Sequence, residues 1–134
     1  MTACVLDTDV VIAALDRSDA HHDVAGRALK RLTRDRVPLL LSLMNYAETL
    51  VRPAEDPKTL RTAVAAIDAL GVRLVAPTPQ IARDAAVVRG LGVSLADGFA
   101  LATASAHSAS VATFDRRVRR VLSRAGADLA APFR

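Results

Sequence analysis

Four carboxylates in this sequence stand where apolar residues give way to polar ones: Asp7 after Val5-Leu6, Glu48 in Asn45-Tyr46-Ala47-Glu48, Asp97 in Leu95-Ala96-Asp97, and Asp115 after Val111-Ala112-Thr113-Phe114. Asp9 lies one residue beyond Thr8, and Thr113 just ahead of Phe114-Asp115. Four carboxylates gathered in a partly dry pocket repel one another strongly. Either some take up protons or cations neutralise them. Hard divalent cations such as Mg²⁺ or Mn²⁺ accept oxygen ligands and keep waters. A site of that kind does phosphoryl chemistry, because the metal generates hydroxide near neutral pH and clamps the oxygens of an in-line displacement. Taken singly, each acid has a plainer use. Asp7 and Asp115 can cap helices, Ser94-Leu95-Ala96-Asp97 has the form of a capping box, and Glu48 can be a solvated helix residue.

Whether the acids can meet depends on the elements that carry them. Residues 3–6 read as a buried strand, and Asp7 or Thr8 can cap the helix formed by Val10 to Leu15. A second helix is expected over about residues 21–36, with Val24, Ala28, Leu29 and Leu32 on one face. Residues 39–41 form a short strand after Pro38, and Ser42 caps a third helix that carries Glu48. A fourth helix spans about residues 57–70 and stops at Gly71. A strand over residues 72–75, a helix over residues 79–89, and a helix opened by Ser94 with a face of Ala96, Ala100, Ala102, Thr103, Ala104 and Ala106 come next. Residues 110–113 form a strand, a last helix runs from Asp115 through about Arg124, and residues 127–130 close with a short strand. Strands alternating with helices predict a parallel sheet covered on both faces. In such a sheet the carboxyl ends of the central strands are where ligands bind.

The chain of 134 residues fits one domain, residues 1–134. Aromatic residues are limited to Tyr46, Phe99, Phe114 and Phe133. The core must therefore be aliphatic, with closely packed helices, and the base-stacking platforms of single-strand binders have little to draw on. Cys4 is the only cysteine, which rules out an internal disulfide and suits a reducing cytoplasm. No basic-then-apolar leader opens the chain, and no apolar run approaches the roughly 18 residues a membrane span requires. A cytoplasmic protein is expected. The net charge is +4, carried almost wholly by arginine since Lys30 and Lys58 are the only lysines. Arginine suits bidentate phosphate contacts. Arg116, Arg117, Arg119, Arg120 and Arg124 follow Asp115 closely, as an RNA-backbone track or as a solvated helix face. His21 and His22 open the second helix as surface residues.

Four stretches together resemble the motifs of the PIN domain, and more narrowly the small toxin ribonucleases of VapBC-type toxin–antitoxin modules. They are Val5-Leu6-Asp7-Thr8-Asp9-Val10, Asn45-Tyr46-Ala47-Glu48-Thr49-Leu50, Leu95-Ala96-Asp97-Gly98-Phe99-Ala100-Leu101-Ala102-Thr103-Ala104, and Val111-Ala112-Thr113-Phe114-Asp115-Arg116. The resemblance spans essentially the whole chain. It implies a three-layer α/β sandwich with a parallel sheet of four or five strands, usually dimeric. It implies a Mg²⁺- or Mn²⁺-dependent endoribonuclease that leaves 5′-phosphate and 3′-hydroxyl ends, restrained by a small cognate antitoxin. Asp7, Glu48, Asp97 and Asp115 match the family's acidic quartet. Asp7, Asp97 and Asp115 would hold metal directly or through water, and Glu48 would hold or deprotonate the attacking water. Asp9 and Thr113 fall where the family often has a second polar group and a hydroxyl. Gly98 departs from the alanine that is commoner there.

Other families share parts of the pattern. Asp7-x-Asp9 after a strand is also the opening of haloacid-dehalogenase-type phosphatases, but neither Lys30 nor Lys58 follows a suitable strand. A receiver-type phospho-acceptor domain needs a lysine after its last strand, and none occurs beyond Lys58. A PIN-like module that binds RNA without cutting it remains the alternative within the same fold.

Overall fold

Short aliphatic runs make the strands, and their alternation decides which helices cover them. The computed structural model describes residues 2–134. Strand β1 is Cys4–Leu6, β2 Leu39–Ser42, β3 Arg73–Val75, β4 Ser110–Ala112 and β5 Asp128–Leu129. They form one five-stranded sheet in the order β3-β2-β1-β4-β5, with each neighbouring pair parallel. Successive side chains of a strand point to opposite faces. Cys4, Leu6, Leu39, Leu41 and Ala112 therefore face one core and Val5, Leu40 and Val111 the other.

Helices α1 (Thr8–Leu15), α2 (His22–Arg34) and α4 (Pro57–Ala69) cover the first face through Val10, Val11, Ala28, Leu29, Leu32 and Ile67. Helices α5 (Pro79–Arg89), α6 (Leu95–Ala106) and α7 (Arg116–Val121) cover the second through Val88, Ala100, Leu101, Ala104, Val118 and Val121. Full burial of a Leu or Ile side chain contributes about 1.5–3 kcal/mol. The remaining helix, α3 (Leu43–Leu50), starts directly from the end of β2 and packs against both α1 and α6. The expected α/β sandwich is thus present, with five strands.

Helix α6 is buried from Gly98 through Ala104. Its small residues let α5 come close: a Cβ at Gly98 would lie 2.6 Å from the Ala85 carbonyl oxygen. The glycine that departs from the family's usual alanine is therefore fixed by this approach.

Three expectations shift in detail. The inner stripe of α2 is Ala25, Ala28, Leu29 and Leu32, while Val24 is exposed. These four follow i, i+3, i+4, i+7 spacing, and Val24 falls about 100° away from Ala25 on the helix. The last helix ends at Val121 rather than near Arg124, giving way to a tight turn at Ser123–Ala125 and a left-handed Gly126 (φ 75°). That stop returns the chain in time for β5 to pair beside β4. His22 is half-buried, its Nδ1 lying 2.7 Å from the Ala13 carbonyl oxygen, and so ties α2 to α1.

Strand order decides where a ligand can enter. From β1 the chain winds outward through β2 to β3, then crosses back through α5 and α6 to place β4 on the other side of β1. The winding reverses between β1 and β4. Their carboxyl ends diverge into opposite connections and leave a crevice, the usual ligand position in an open α/β sheet.

Candidate active site

Asp7 leaves β1 at that crevice. Its N–H still pairs with the Ala112 carbonyl across the β1–β4 junction at 2.9 Å. Its backbone is extended, so the side chain folds over the first turn of α1 as its cap: Oδ1 accepts from the Thr8 N–H at 2.8 Å. Oδ2 accepts from the Thr113 hydroxyl at 2.8 Å. Asp7 is only 2% exposed. Burial pushes its carboxyl up to about 8, helped by the charges of Asp9 and Asp97 and opposed by the Thr113 and Thr8 hydrogen bonds.

Asp9 sits in the first turn of α1 and reaches across to β4. Its Oδ2 accepts from the Phe114 N–H at 3.0 Å, while Oδ1 is buried with no hydrogen-bond partner among the described residues. Burial raises it to about 6, against the Phe114 bond and with help from Asp115 and Asp97. Asp115 caps α7, its Oδ1 accepting from the backbone N–H groups of Arg117 at 2.7 Å and Val118 at 3.3 Å. Its own N–H donates to the Thr113 hydroxyl oxygen at 3.1 Å, so Thr113 links Asp115 to Asp7. Asp97 closes a capping box at the start of α6, with Ser94 N–H to its Oδ2 and its own N–H to the Ser94 hydroxyl, both at 3.1 Å. Asp7, Asp97 and Asp115 thus each satisfy backbone N–H groups at the start of a helix.

The charges of Asp9 and Asp97 thus act on Asp7, and those of Asp115 and Asp97 on Asp9. Glu48 stands apart from them. It is exposed on α3 and lines a groove with Ile12, Leu15, Thr49 and Val51, between α1 and α4.

As the caps hold them, no three His, Cys, Asp or Glu side chains among the described residues are close enough to chelate an ion. The donors nonetheless fit a hard cation. All are carboxylate oxygens, the buried Asp9 Oδ1 has no partner among the described residues, and burial with the neighbouring charges of Asp9 and Asp97 disfavours the charged form of Asp7.

Two features lay beyond the sequence reading. Asn45 is buried at the start of α3, and its Nδ2 donates to the Thr8 hydroxyl oxygen at 3.0 Å and the Ala96 carbonyl at 3.2 Å. It thereby pins α3 to the helices that carry Asp7 and Asp97. A polar residue among the apolar positions of a short helix was the available signal. The second feature is a column of rings. Phe133 is buried, Phe114 packs on it (centroids 5.2 Å, tilted 52°), and His21 stacks nearly parallel on Phe114 (4.3 Å, 12°). The column adds a histidine ring to the few aromatic side chains of the sequence.

The arginines after Asp115 divide. Arg116, Arg117 and Arg120 are exposed on α7, with Arg117 Nε 3.8 Å from Asp115 Oδ1. Arg119 is engaged: its guanidinium donates to the Phe133 carbonyl at 2.9 Å and the Thr113 carbonyl at 3.4 Å.

The PIN domain family model matches residues 4–122. Solved structures with the same fold include a VapBC complex from Rickettsia felis bound to a DNA fragment from its promoter (TM-score 0.75, 15% identity, 96% of this chain and 98% of that one). A VapC toxin from Mycobacterium tuberculosis that cleaves the sarcin–ricin loop aligns with TM-score 0.70 and 22% identity over 96% of this chain and 98% of its own. A toxin–antitoxin complex from Klebsiella pneumoniae aligns with TM-score 0.69 and 21% identity, covering 98% of both chains. No curated protein sequence matches this one significantly.

Proposed function

Because the chain belongs to the PIN-domain family, we propose that it is a divalent-metal-dependent endoribonuclease and the toxin of a toxin–antitoxin pair. The observation that carries this reading is the convergence of Asp7, Asp9, Asp97 and Asp115 where β1 and β4 diverge, with the Oδ1 of Asp9 buried and unpartnered among the described residues. Oxygen donors of this kind select Mg²⁺ or Mn²⁺ over softer metals. When bound, the cation supplies a hydroxide near neutral pH and neutralises charge on the scissile phosphate.

The chain's own residues divide the remaining work. Asp7, Asp97 and Asp115 hold the metal, directly or through water, and the free Oδ1 of Asp9 is available to the same shell. Thr113 keeps Asp7 and Asp115 in register through its hydroxyl. Glu48, exposed on the adjoining helix α3, would orient or deprotonate the attacking water, and Asn45 sets the position of that helix. Hydrolysis leaves a 5′-phosphate and a 3′-hydroxyl. Arg116, Arg117 and Arg120, exposed on the helix that Asp115 caps, would meet the RNA backbone.

The toxin–antitoxin complexes among the structural relatives support a small antitoxin as the partner, and a homodimer is the form that the family resemblance implies. One domain over residues 1–134 and a cytoplasmic setting complete the reading. No helix among the described residues is long and apolar enough to cross a membrane, and Cys4 is a buried thiol.

Total cellular RNA, incubated with parent protein and Asp97→Asn in Mg²⁺, Mn²⁺ or EDTA, tests the proposal. Discrete fragments with 5′-phosphates are expected from the parent with metal, and none in EDTA or from the variant. Binding without cleavage by metal-loaded parent protein would point to a non-catalytic RNA-binding module instead.

A further inference from the structure

We propose that His21 is the open end of a stacking platform that takes a nucleobase of the RNA next to the scissile phosphate. This rests on the nuclease reading above and assigns that site a base-binding position. The platform is the column Phe133–Phe114–His21. Its foot, Phe133, is 4% exposed, and its top, His21, has 56% of its side chain exposed. One face of the imidazole is covered by Phe114 at 4.3 Å, while more than half of the side chain stays open to solvent. A flat ring with one face buried and one open is what a base stacks on, whatever its identity.

The column is fixed to the acid site at several points. Phe114 immediately precedes Asp115, and its N–H is held by Asp9 Oδ2 at 3.0 Å. Arg119 ties the Phe133 carbonyl to the Thr113 carbonyl. At the top, the His21 N–H donates to Asp19 Oδ1 at 2.8 Å, and its Nδ1 lies 3.8 Å from the same oxygen. A base on His21 would therefore sit at a set distance from the metal-binding oxygens. Its flanking phosphates would meet the exposed Arg116 and Arg117 on the residues that follow Asp115. The fold has little other use for this ring: His21 makes no side-chain cap to α2, and helix packing there is carried by Ala25, Ala28 and Leu29.

The test is binding of a short single-stranded RNA carrying 2-aminopurine, measured in EDTA so that binding is separated from cutting. Parent, His21→Ala and His21→Tyr are compared, with thermal melting as a check on folding. The parent should quench the fluorescent base. His21→Ala should lose the quench and bind about tenfold more weakly, within the range known for base–aromatic stacking. His21→Tyr should keep both. With metal present, the alanine variant should raise KM more than it lowers kcat. Equal affinity and equal quench for parent and His21→Ala, in a parent that does cut RNA, would overturn the platform alone. A parent that neither binds nor cuts any RNA overturns the nuclease reading and the platform together.

Discussion

Burial works against Asp7. In the folded protein its carboxyl is pushed up to about 8, whereas the ordinary value is 3.8. Between those values the native state holds a proton that the unfolded chain has released, so stability falls as pH rises through the window. Each pH unit in it removes up to about 1.4 kcal/mol, a large amount beside the 5–15 kcal/mol of a typical domain. In EDTA the melting temperature of the parent should therefore drop between about pH 5 and pH 8. Asp7→Asn carries no charge to desolvate and can still accept from the Thr8 N–H. It should melt higher than the parent at pH 8, show a flatter pH profile, gain nothing from Mg²⁺ or Mn²⁺, and cut no RNA. Parallel pH profiles for the two proteins would remove burial of the charge as the cause. Sequence alone showed Asp7 as both a cap and a site acid, since an acid after an apolar run signals both. It could not show that Thr113 would bond to Asp7 across 106 residues, or that His21 would lie on Phe114, because those contacts depend on how the strands pair.

At the scale of elements, the contact between α5 and α6 sets the tightest limit. A methyl group at position 98 would stand 2.6 Å from a backbone oxygen of Ala85, and a backbone atom cannot rotate away as a side chain can. Alanine in a helix interior gains up to about 1 kcal/mol over glycine in propensity. Overpacking in a filled core costs about 1–3 kcal/mol, and the second effect wins here. Gly98→Ala should lower the urea midpoint with an unchanged m-value, and an equal or higher midpoint would mean that α5 gives way freely. The period of small residues in α6 was legible, and so was the close packing it implies. The stop of α7 at Val121 was not, since its arginine-rich sequence continues a good helix and only the pairing of β5 with β4 demands the turn. The same holds for the phase of α2, where Val24 and Ala25 are both apolar and only the sheet beneath selects between them.

Across the whole molecule, a charge of +4 gives a general attraction to polyanions, but the structure separates arginines that are free from one that is engaged. Arg116, Arg117, Arg119 and Arg120 are all exposed, but Arg116 and Arg120 make no hydrogen bond or ion pair among the described residues and Arg117 lies beside Asp115, whereas Arg119 ties the C-terminal turn to the segment after β4. Replacing Arg116, Arg117 and Arg120 by alanine should weaken RNA binding and reduce the slope of log K against log salt by about 2, at roughly 0.7 per phosphate contact on a single strand. Arg119→Ala should leave that slope unchanged while lowering the melting temperature. A matching loss of slope from Arg119→Ala would return it to the RNA track that the sequence offered for all five arginines after Asp115. Composition could not sort them, because the carbonyl that Arg119 binds most closely comes from Phe133, fourteen residues on.

Asp7 and Asp115 each cap a helix, and Asp97 closes the capping box of a third. Folding by itself would thus preserve a short oxygen-bearing side chain at all three positions in descendants that no longer cut anything. In such lineages Asp7 would drift first to asparagine or serine, which cap as well and escape the burial penalty. Glu48, exposed in mid-helix, is under no such demand. Among relatives that keep this architecture, its replacement would be the earliest mark of a copy that has fallen silent.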